Sequence, residues 1–233
     1  MLITVLEPGY FPSLAECAKA LQADRVIWAN SFHMRRHSTI NRAAIKTVNG
    51  RQWLTIPTIG KGLQEQAIHD ACINNQIEWG RTHGKTIEIN YRLSAYYDFV
   101  IDKLAPLWQT RYDRLDDVLK SAFRFLQSEL GLAQAIESIT WPAVSDRSER
   151  IIAWMKTLAA DQYLIWPHQA MLIDVARLRA AGITVFAMHY TEPVYHQAFA
   201  GFISDLSVLD LVLNEGPAGR EILRKAGSVR AIS

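Results

Sequence analysis

The stretch MLITVLEPGYFPSLAECAKALQADRVIWA, residues 1–29, decides the fold. Residues 1–6 are apolar and β-rich, and a Pro-Gly pair ends that run within two further positions. Residues 14–22 then have helical spacing, with Ser13 as N-cap and a glutamate three residues later completing a capping box. Residues 25–29 are β-rich again. A strand, turn, helix and strand within thirty residues predict parallel pairing through a right-handed crossover.

The same alternation returns after a long helical stretch. We predict helices near 77–91, 94–108 and 113–130, and a second half with strands at 135–140, 162–165 and 183–187 and helices at 146–160, 168–181 and 205–214. Between the halves we expect a polar, basic loop over 30–50, a strand over 52–56 and a weak strand within 66–73. The predicted fold class is α/β, with a predominantly parallel sheet flanked by helices. We treat 1–233 as one domain with a helical subdomain near 77–131.

Composition narrows the classes of function. Hydrophobic residues make up 49% of the chain and charged residues 21%, with a net charge of +2, which is typical of a globular protein. Nucleic-acid binding is not predicted, because no dense Lys/Arg face is visible. A membrane span is not predicted, since no segment reaches about 18 apolar residues. Cys17 and Cys72 read as free thiols of a reducing compartment, so we expect a cytoplasmic protein. The histidine spacing predicts no metal, and no cofactor is implied.

Two clusters in the first half of the chain have side chains that can bind an anion. Tyr10 lies in the turn after the first strand, at the edge of an α/β sheet where ligands bind. The second cluster is basic and contains His37, Asn41, Arg42 and Lys46. If this segment is helical, Arg42 and Lys46 share one face and can hold a phosphate or carboxylate. A plain structural turn and a solvated basic loop remain the alternatives.

Two later clusters offer acid–base groups. His83, Asn90 and Tyr91 fall on one stripe of a predicted helix, where the histidine is either a base or a packed structural residue. Asp210 and Asn214 are one helical turn apart and can present a carboxylate and an amide to one ligand. Ser207 is either a ligand group or the cap of that helix.

An ordered set of motifs extends over nearly the whole chain. They are Tyr10-Phe11-Pro12, Asn41-Arg42, Ile45-Lys46-Thr47, Asn49-Gly50, Trp53-Leu54-Thr55 with Pro57, the helix from His83 to Tyr91, Tyr195 to Gln197, and Ser207, Asp210, Asn214 and Gly216. In this order, from residue 3 to residue 216, the chain resembles the WbqC-like family. The order carries the resemblance, since no single motif is diagnostic.

The resemblance implies a transferase of bacterial surface-polysaccharide or glycolipid biosynthesis, moving an acyl or aminoacyl group to a nucleotide-activated amino sugar. The implied partner is a small molecule, a phosphorylated or nucleotide-linked sugar. A non-catalytic sugar-nucleotide-binding or scaffold protein of the same pathway is the alternative, and the oligomeric state is left open. The candidate catalytic residues are His83, Asp210 and Glu7. The candidate substrate-binding residues are Tyr10, His37, Asn41, Arg42, Lys46, Lys85, Tyr91, Gln197, Ser207 and Asn214.

The chain departs from the family pattern in three places. The family opens with His-Gln-Pro, where this chain has Leu6-Glu7-Pro8, and Ser13 replaces the tryptophan that commonly follows the second proline. The family's glycine-rich stretch is replaced here by residues 165–170. Glu7 and His168 are the residues that can substitute chemically. We expect one cleft to collect Tyr10, Arg42, Lys46, His83 and the region of Ser207 and Asp210.

Overall fold

The N-terminal segment adopts the predicted strand–helix–strand unit. In the computed structural model, which describes residues 1–35, 38–59, 66–136 and 144–232, β1 (Leu2–Leu6), α1 (Leu14–Gln22) and β2 (Arg25–Trp28) follow in order. The two strands pair in parallel, with Ile3 opposite Arg25. Ser13 caps α1 by accepting the Glu16 amide at 3.3 Å.

The described residues build a central sheet of six strands. After β1 and β2 the strands, inside and outside this sheet, are, in chain order, β3 (Arg42–Thr47), β4 (Gly50–Thr55), β5 (Thr58–Ile59), β6 (Cys72–Ile73), β7 (Gln134–Ile136), β8 (Gln162–Ile165), β9 (Thr184–Tyr190) and β10 (Gly227–Ala231). The sheet order is β10-β9-β8-β1-β2-β7, and every neighbouring pair is parallel except β9 with β10. The predicted α/β class with a mostly parallel sheet is therefore confirmed.

Helices cover both faces of this sheet. They are α2 (Trp79–Tyr91), α3 (Tyr97–Gln109), α4 (Leu115–Leu130), α5 (Arg147–Thr157), α6 (Val175–Ala180), α7 (Val208–Glu215) and α8 (Ala218–Ala226). On one face α1, α7 and α8 join the α2–α4 region in a large apolar core. On the other face α5 and α6 form a smaller core over Ile3, Ile27 and Tyr163. The alternation of β-strand side chains explains the division, since consecutive residues face opposite layers.

The strand order changes direction between β1 and β8. From β1 the chain adds β2, and β7 then pairs on the far side of β2. β8 pairs on the opposite side of β1, and β9 continues outward from it. Helices that follow diverging strands lie on opposite faces, so a crevice opens at the carboxyl ends of β1 and β8. This geometry locates the first candidate site.

Several local predictions were wrong. Arg42–Thr47 is a buried strand that forms an antiparallel hairpin with β4, and not a polar, basic loop or helix. Residues 168–181 do not form one helix, because a 3-10 segment, Pro167–Leu172, ends before α6 begins. The weak strand predicted within 66–73 is limited to β6, after a 3-10 turn at Ile68–Asp70.

Other boundaries differ by a few residues. The helix predicted over 205–214 begins only at Val208, and α8 and β10 were not predicted. The part of the predicted strand 135–140 beyond residue 136 lies outside the described residues. None of the helices in the described ranges combines the length and the apolar composition needed to cross a membrane.

Candidate functional site

A cleft of about 660 Å³ opens where the strand order changes direction. We call it the switch-point cleft. It is lined by Val5, Glu7, Ala15, Glu16, Lys19, Phe32, Arg35, Arg147, Arg150, Ile151, Trp154, Tyr163, Leu164, Ile165, Trp166, His168, Gln169, Leu172 and Ile173. The volume lies in the range of small-molecule sites. β1 and β8 supply the floor, α1 and α5 supply opposite walls, and the 3-10 segment supplies part of the rim.

Glu7 is the first residue after β1 and carries a carboxylate into the cleft. Burial raises the pKa of this carboxyl, and the nearby charge of Glu16 adds to the rise, whereas Arg35 and Lys19 oppose it. Arg35 forms an ion pair with Glu7. The Arg35 side chain is 66% exposed, so solvent screens this pair and the guanidinium can reach a second anion.

A fixed group of side chains forms the α1 wall. Lys19 is buried, donates to the Val5 carbonyl at 3.2 Å, and pairs with Glu16 at 3.0 Å. Glu16 also accepts the indole N–H of Trp166 at 2.7 Å. The Lys19 ammonium lies 5.2 Å from the centre of the Trp166 ring. Glu16 therefore connects the α1 wall to Trp166, the residue after β8, and does not close the predicted capping box.

The α5 wall is cationic. Arg147 and Arg150 are one turn apart, and Arg150 donates to the Val144 carbonyl at 2.9 Å. Among the described residues Arg147 has no ion pair or hydrogen bond. Burial raises the pKa of Tyr163, and the positive charge of Arg147 opposes that rise. His168 at the rim likewise has no hydrogen bond within the described ranges. Four cationic side chains face two carboxylates, so the cleft favours an anionic ligand.

Most of the residues singled out from the sequence lie elsewhere, in a second polar region. Asp210 is fully buried on α7 and accepts hydrogen bonds from Tyr91 at 2.6 Å and Tyr195 at 2.8 Å. The Tyr91 oxygen in turn accepts the backbone N–H of Lys46 at 2.9 Å. We call Lys46, Tyr91, Tyr195 and Asp210 the buried network. Burial raises the pKa of Asp210, while the two tyrosines and the Lys46 charge oppose that rise.

Lys46 and Gln197 fix the loop beside this network. The buried Lys46 ammonium donates to the carbonyls of Phe199, at 3.3 Å, and Gly201. The Gln197 side chain accepts the amide of Ile203 at 2.9 Å and donates to its carbonyl at 2.8 Å. The polar atoms of these side chains hydrogen-bond to the loop backbone and so stabilise its irregular conformation.

Tyr10 and His83 form a neighbouring contact. The Tyr10 hydroxyl accepts the indole N–H of Trp108 at 2.8 Å and lies 3.0 Å from His83 Nδ1. The direction of the Tyr10–His83 hydrogen bond is set by the tautomer of His83. The His83 ring also hydrogen-bonds the backbone of Thr55, and burial lowers its pKa to about 4. His83 is thus a neutral, packed imidazole whose contacts are with protein groups.

The other predicted binding residues are dispersed. The Arg42 guanidinium lies 4.4 Å from the Trp53 ring centre and its Nε donates to the Ser38 carbonyl at 2.9 Å. Asn41 donates to the Ile56 carbonyl at 2.9 Å and so extends the β3–β4 pairing. Lys85 is exposed on α2. His37 lies outside the described residues.

Ser207 and Asn214 lie at either end of α7. Ser207 is the N-cap residue, but its hydroxyl makes no capping bond and has no partner in the described part of the chain. Asn214 donates to the Asp210 carbonyl at 2.8 Å. None of the residues expected to share one cleft, namely Tyr10, Arg42, Lys46, His83, Ser207 and Asp210, lines the switch-point cleft. Of the candidate site residues with described side chains, only Glu7 does.

Sequence reasoning missed most of the cleft. Arg147, Arg150 and Trp154 follow a helical spacing that was readable as one face of the helix predicted over 146–160. Trp166 and His168 come directly after the strand predicted at 162–165, at the end where ligands bind. What the sequence did not give was the position of β8 beside β1, which brings these residues next to Glu7. The described residues contain no group of three or more His, Cys, Asp or Glu able to hold a metal ion.

A known protein family and a known protein match this chain. The sequence model of the WbqC-like protein family matches residues 7–222. The chain is 25% identical over 225 residues to an uncharacterised protein, Rv1507c, of Mycobacterium tuberculosis, covering 95% of this chain and 97% of that protein. No solved structure matches.

Proposed function

The chain belongs to the WbqC-like protein family, and from that premise we propose that it is a transferase of bacterial surface-polysaccharide or glycolipid biosynthesis. In this proposal an acyl or aminoacyl group moves to the amine of a phosphorylated or nucleotide-linked amino sugar held in the switch-point cleft. One observation carries the proposal: Glu7, at the end of β1, shares the cleft with Arg35, Arg147 and Arg150.

The three arginines supply the phosphate-binding part. Guanidinium groups bind phosphate oxygens through paired hydrogen bonds, and two of these side chains come from one turn of α5. Arg147 has no hydrogen-bond or ion-pair partner in the described ranges, so it can bind phosphate without breaking another contact. Arg35 approaches from the segment after β2 and can exchange Glu7 for the ligand.

Glu7 supplies the general base. As the sugar amine attacks the acyl carbon, a C–N bond forms and the amine nitrogen loses a proton to the Glu7 carboxylate. The bond between the acyl carbon and the donor's leaving group then breaks, and the proton passes from Glu7 to that leaving group. A carboxyl whose pKa is raised by burial is a stronger base than a solvated one, which suits this step.

Binding without catalysis is the second candidate, and the Arg35–Glu7 ion pair is the observation that favours it. A carboxylate held by a guanidinium is a weaker base than one without a cation beside it. If the ligand leaves that pair in place, the cleft recognises a sugar phosphate and transfers nothing. The two candidates differ in turnover and agree in binding.

The test is a turnover assay on nucleotide-linked amino sugars with acyl and aminoacyl thioester donors, with the products identified by mass spectrometry. We expect Glu7→Gln to lower turnover by about a hundredfold or more, while the affinity for the nucleotide sugar does not fall, because Arg35 loses the carboxylate that competes with the ligand. Glu88→Gln, at an exposed position on α2, is the matched control. Tight binding without any product in the wild type would leave the binding protein as the better proposal.

A further inference from the structure

Trp166 is an aromatic side chain of the switch-point cleft that several contacts hold in place. Its indole N–H donates to Glu16 at 2.7 Å, and its backbone amide is capped by the Gln169 side chain at 3.0 Å. The Lys19 ammonium lies 5.2 Å from the ring centre. Contacts at the ring edge, at the ring and at the backbone fix the orientation of the indole before any ligand arrives.

The surroundings of Trp166 are themselves fixed. Glu16 is held by Lys19 at 3.0 Å, and Lys19 is buried and donates to the Val5 carbonyl at 3.2 Å. The group is therefore anchored to the floor strand β1. The Trp166 ring is only partly buried and borders the cleft, so part of its surface is open to a ligand.

The side chains that hold the indole also lie near Glu7. The Lys19 ammonium, 5.2 Å from the centre of the Trp166 ring, donates to the carbonyl of Val5, two residues before Glu7. The charges of Glu16 and Lys19 both act on the Glu7 carboxyl, and Trp166 and Glu7 line the same cleft. A ligand ring that lies on the indole therefore shares the cleft with the carboxylate.

We propose that Trp166 is the stacking surface for the amino-sugar ring of the ligand and so a specificity-determining residue of the cleft. This inference rests on the proposed function, because it takes Glu7 as the group that the reacting amine must reach. The ring carrying that amine has to lie beside Glu7, and the indole is the aromatic surface fixed at that place. The apolar C–H face of a pyranose packs on an aromatic ring, while its hydroxyls and amine remain at the edge for polar contacts.

The experiment compares three probes by isothermal titration calorimetry on the full chain: glucosamine-1-phosphate, uridine diphosphate and inorganic pyrophosphate. We expect Trp166→Leu to weaken glucosamine-1-phosphate on the order of tenfold and to change pyrophosphate by less than about twofold. Trp166→Phe keeps a ring and loses the N–H, and we expect it to retain most of the wild-type affinity. Trp53→Leu, on β4 and outside the cleft lining, is the matched control.

Three outcomes overturn the inference. Equal losses for pyrophosphate and glucosamine-1-phosphate show that the indole only supports the wall formed by Glu16 and Lys19. A loss confined to uridine diphosphate assigns the ring to a nucleobase. No loss for any probe, with unchanged melting temperature, shows that nothing stacks there.

The failure of the proposed function has a different signature. If pyrophosphate and glucosamine-1-phosphate bind the wild type no better than they bind a double variant lacking Arg147 and Arg150, the anion site is wrong. Uncharged methyl N-acetylglucosaminide, followed by saturation-transfer NMR, then tests the stacking surface alone. Contact that depends on Trp166 supports the inference even in that case, and its absence overturns it.

Discussion

The switch-point cleft and the buried network contain the same kinds of side chain and use them in opposite ways. In the buried network the carboxylate of Asp210 has a tyrosine hydroxyl on each oxygen, and the Lys46 ammonium is bound to loop carbonyls. In the cleft Arg147 has no partner within the described ranges, and Arg35 is mostly solvent-exposed. Polar groups that satisfy one another hold a fold together, whereas charges left partly unsatisfied at a cavity are available to a ligand.

The comparison distinguishes motif residues that stabilise the fold from residues that are available to bind a ligand. Tyr10, Lys46, His83, Tyr91 and Asp210 carry much of the family resemblance, and all of them are buried with protein partners. They join β3, α2, α7 and the first turn, so their polar bonds set how these elements meet. We infer that their first role is to position the fold, and that ligand recognition belongs to the cleft.

The largest effect is expected at the centre of the buried network. Asp210→Ala leaves the hydroxyls of Tyr91 and Tyr195 buried without their acceptor and removes the charge that faces Lys46. We expect the free energy of unfolding to fall by about 3–5 kcal/mol, measured by urea denaturation. Asp102→Ala, exposed on α3, should change it by less than about 0.5 kcal/mol. Similar values for the two variants would contradict a structural role for the network.

The next effect is a pH dependence centred on His83. Burial holds its folded-state pKa near 4, below the ordinary value of 6.5, so the unfolded chain binds a proton first as the pH falls. The contribution of His83 to the free energy of unfolding is therefore fully present above about pH 6.5, declines as the pH falls from 6.5 to 4, and changes no further below pH 4. The loss from this residue is on the order of 3 kcal/mol.

His83→Phe is the variant that isolates this contribution. It should be less stable at pH 7, because it loses the contacts to Tyr10 and Thr55, and its unfolding free energy should change less between pH 6.5 and 4. His69→Phe, at an exposed position, is the control and should keep the wild-type slope. A wild-type slope in the His83 variant would mean that other groups dominate this pH range.

Much of the fold could be predicted from local patterns. The first βαβ unit, the helices of the 77–131 region and strand β8 were readable from spacing, caps and β-rich runs. β3 was not, because Arg42 and Lys46 gave its segment a basic character while its alanines and isoleucine are buried. A lysine in a buried strand is unexpected until its loop carbonyl partners are known.

The candidate site was less predictable for a topological reason. Which residues share a cleft depends on strand order, and order is a long-range property that no single segment contains. Glu7 and His168 were singled out where the chain departs from the family pattern, but placing them in one cleft with Arg147 and Trp166 required knowing that β8 returns to the other side of β1. Motif-rich segments drew attention to the buried network, where polar residues among aromatics stabilise the interior.

The third prediction addresses the cleft. Arg147→Gln removes a guanidinium that has no partner in the described ranges, so the unfolding free energy should change by less than about 0.5 kcal/mol. The affinity for inorganic pyrophosphate should fall roughly tenfold to a hundredfold, the loss expected for one charge-assisted hydrogen bond. Titration calorimetry measures this, with Arg92→Gln at the exposed end of α2 as control. If Arg147→Gln and Arg92→Gln bind pyrophosphate equally well, Arg147 is not part of an anion site.

The smallest effect is expected at Arg42, which the sequence predicts to bind an anion and which the structure places against Trp53. As a phosphate clamp, Arg42→Lys would weaken an anionic ligand about tenfold to a hundredfold, because the bidentate fork is lost. In the structure the guanidinium stacks on Trp53 and bonds Ser38, outside the lining of the cleft. A lysine keeps the charge and part of the stacking, so stability should fall by less than about 1 kcal/mol.

Melting temperature with and without pyrophosphate decides between the two forecasts. If Arg42 only stabilises the β3–β4 hairpin, Arg42→Lys lowers the melting temperature slightly and by the same amount with and without pyrophosphate. The pyrophosphate-induced shift in melting temperature then matches that of the wild type. Trp53→Leu should reproduce the same small decrease, since it removes the other half of the stack. A ligand-induced shift that disappears in Arg42→Lys while Trp53→Leu keeps it would return Arg42 to the binding site and join the two regions that the structure separates.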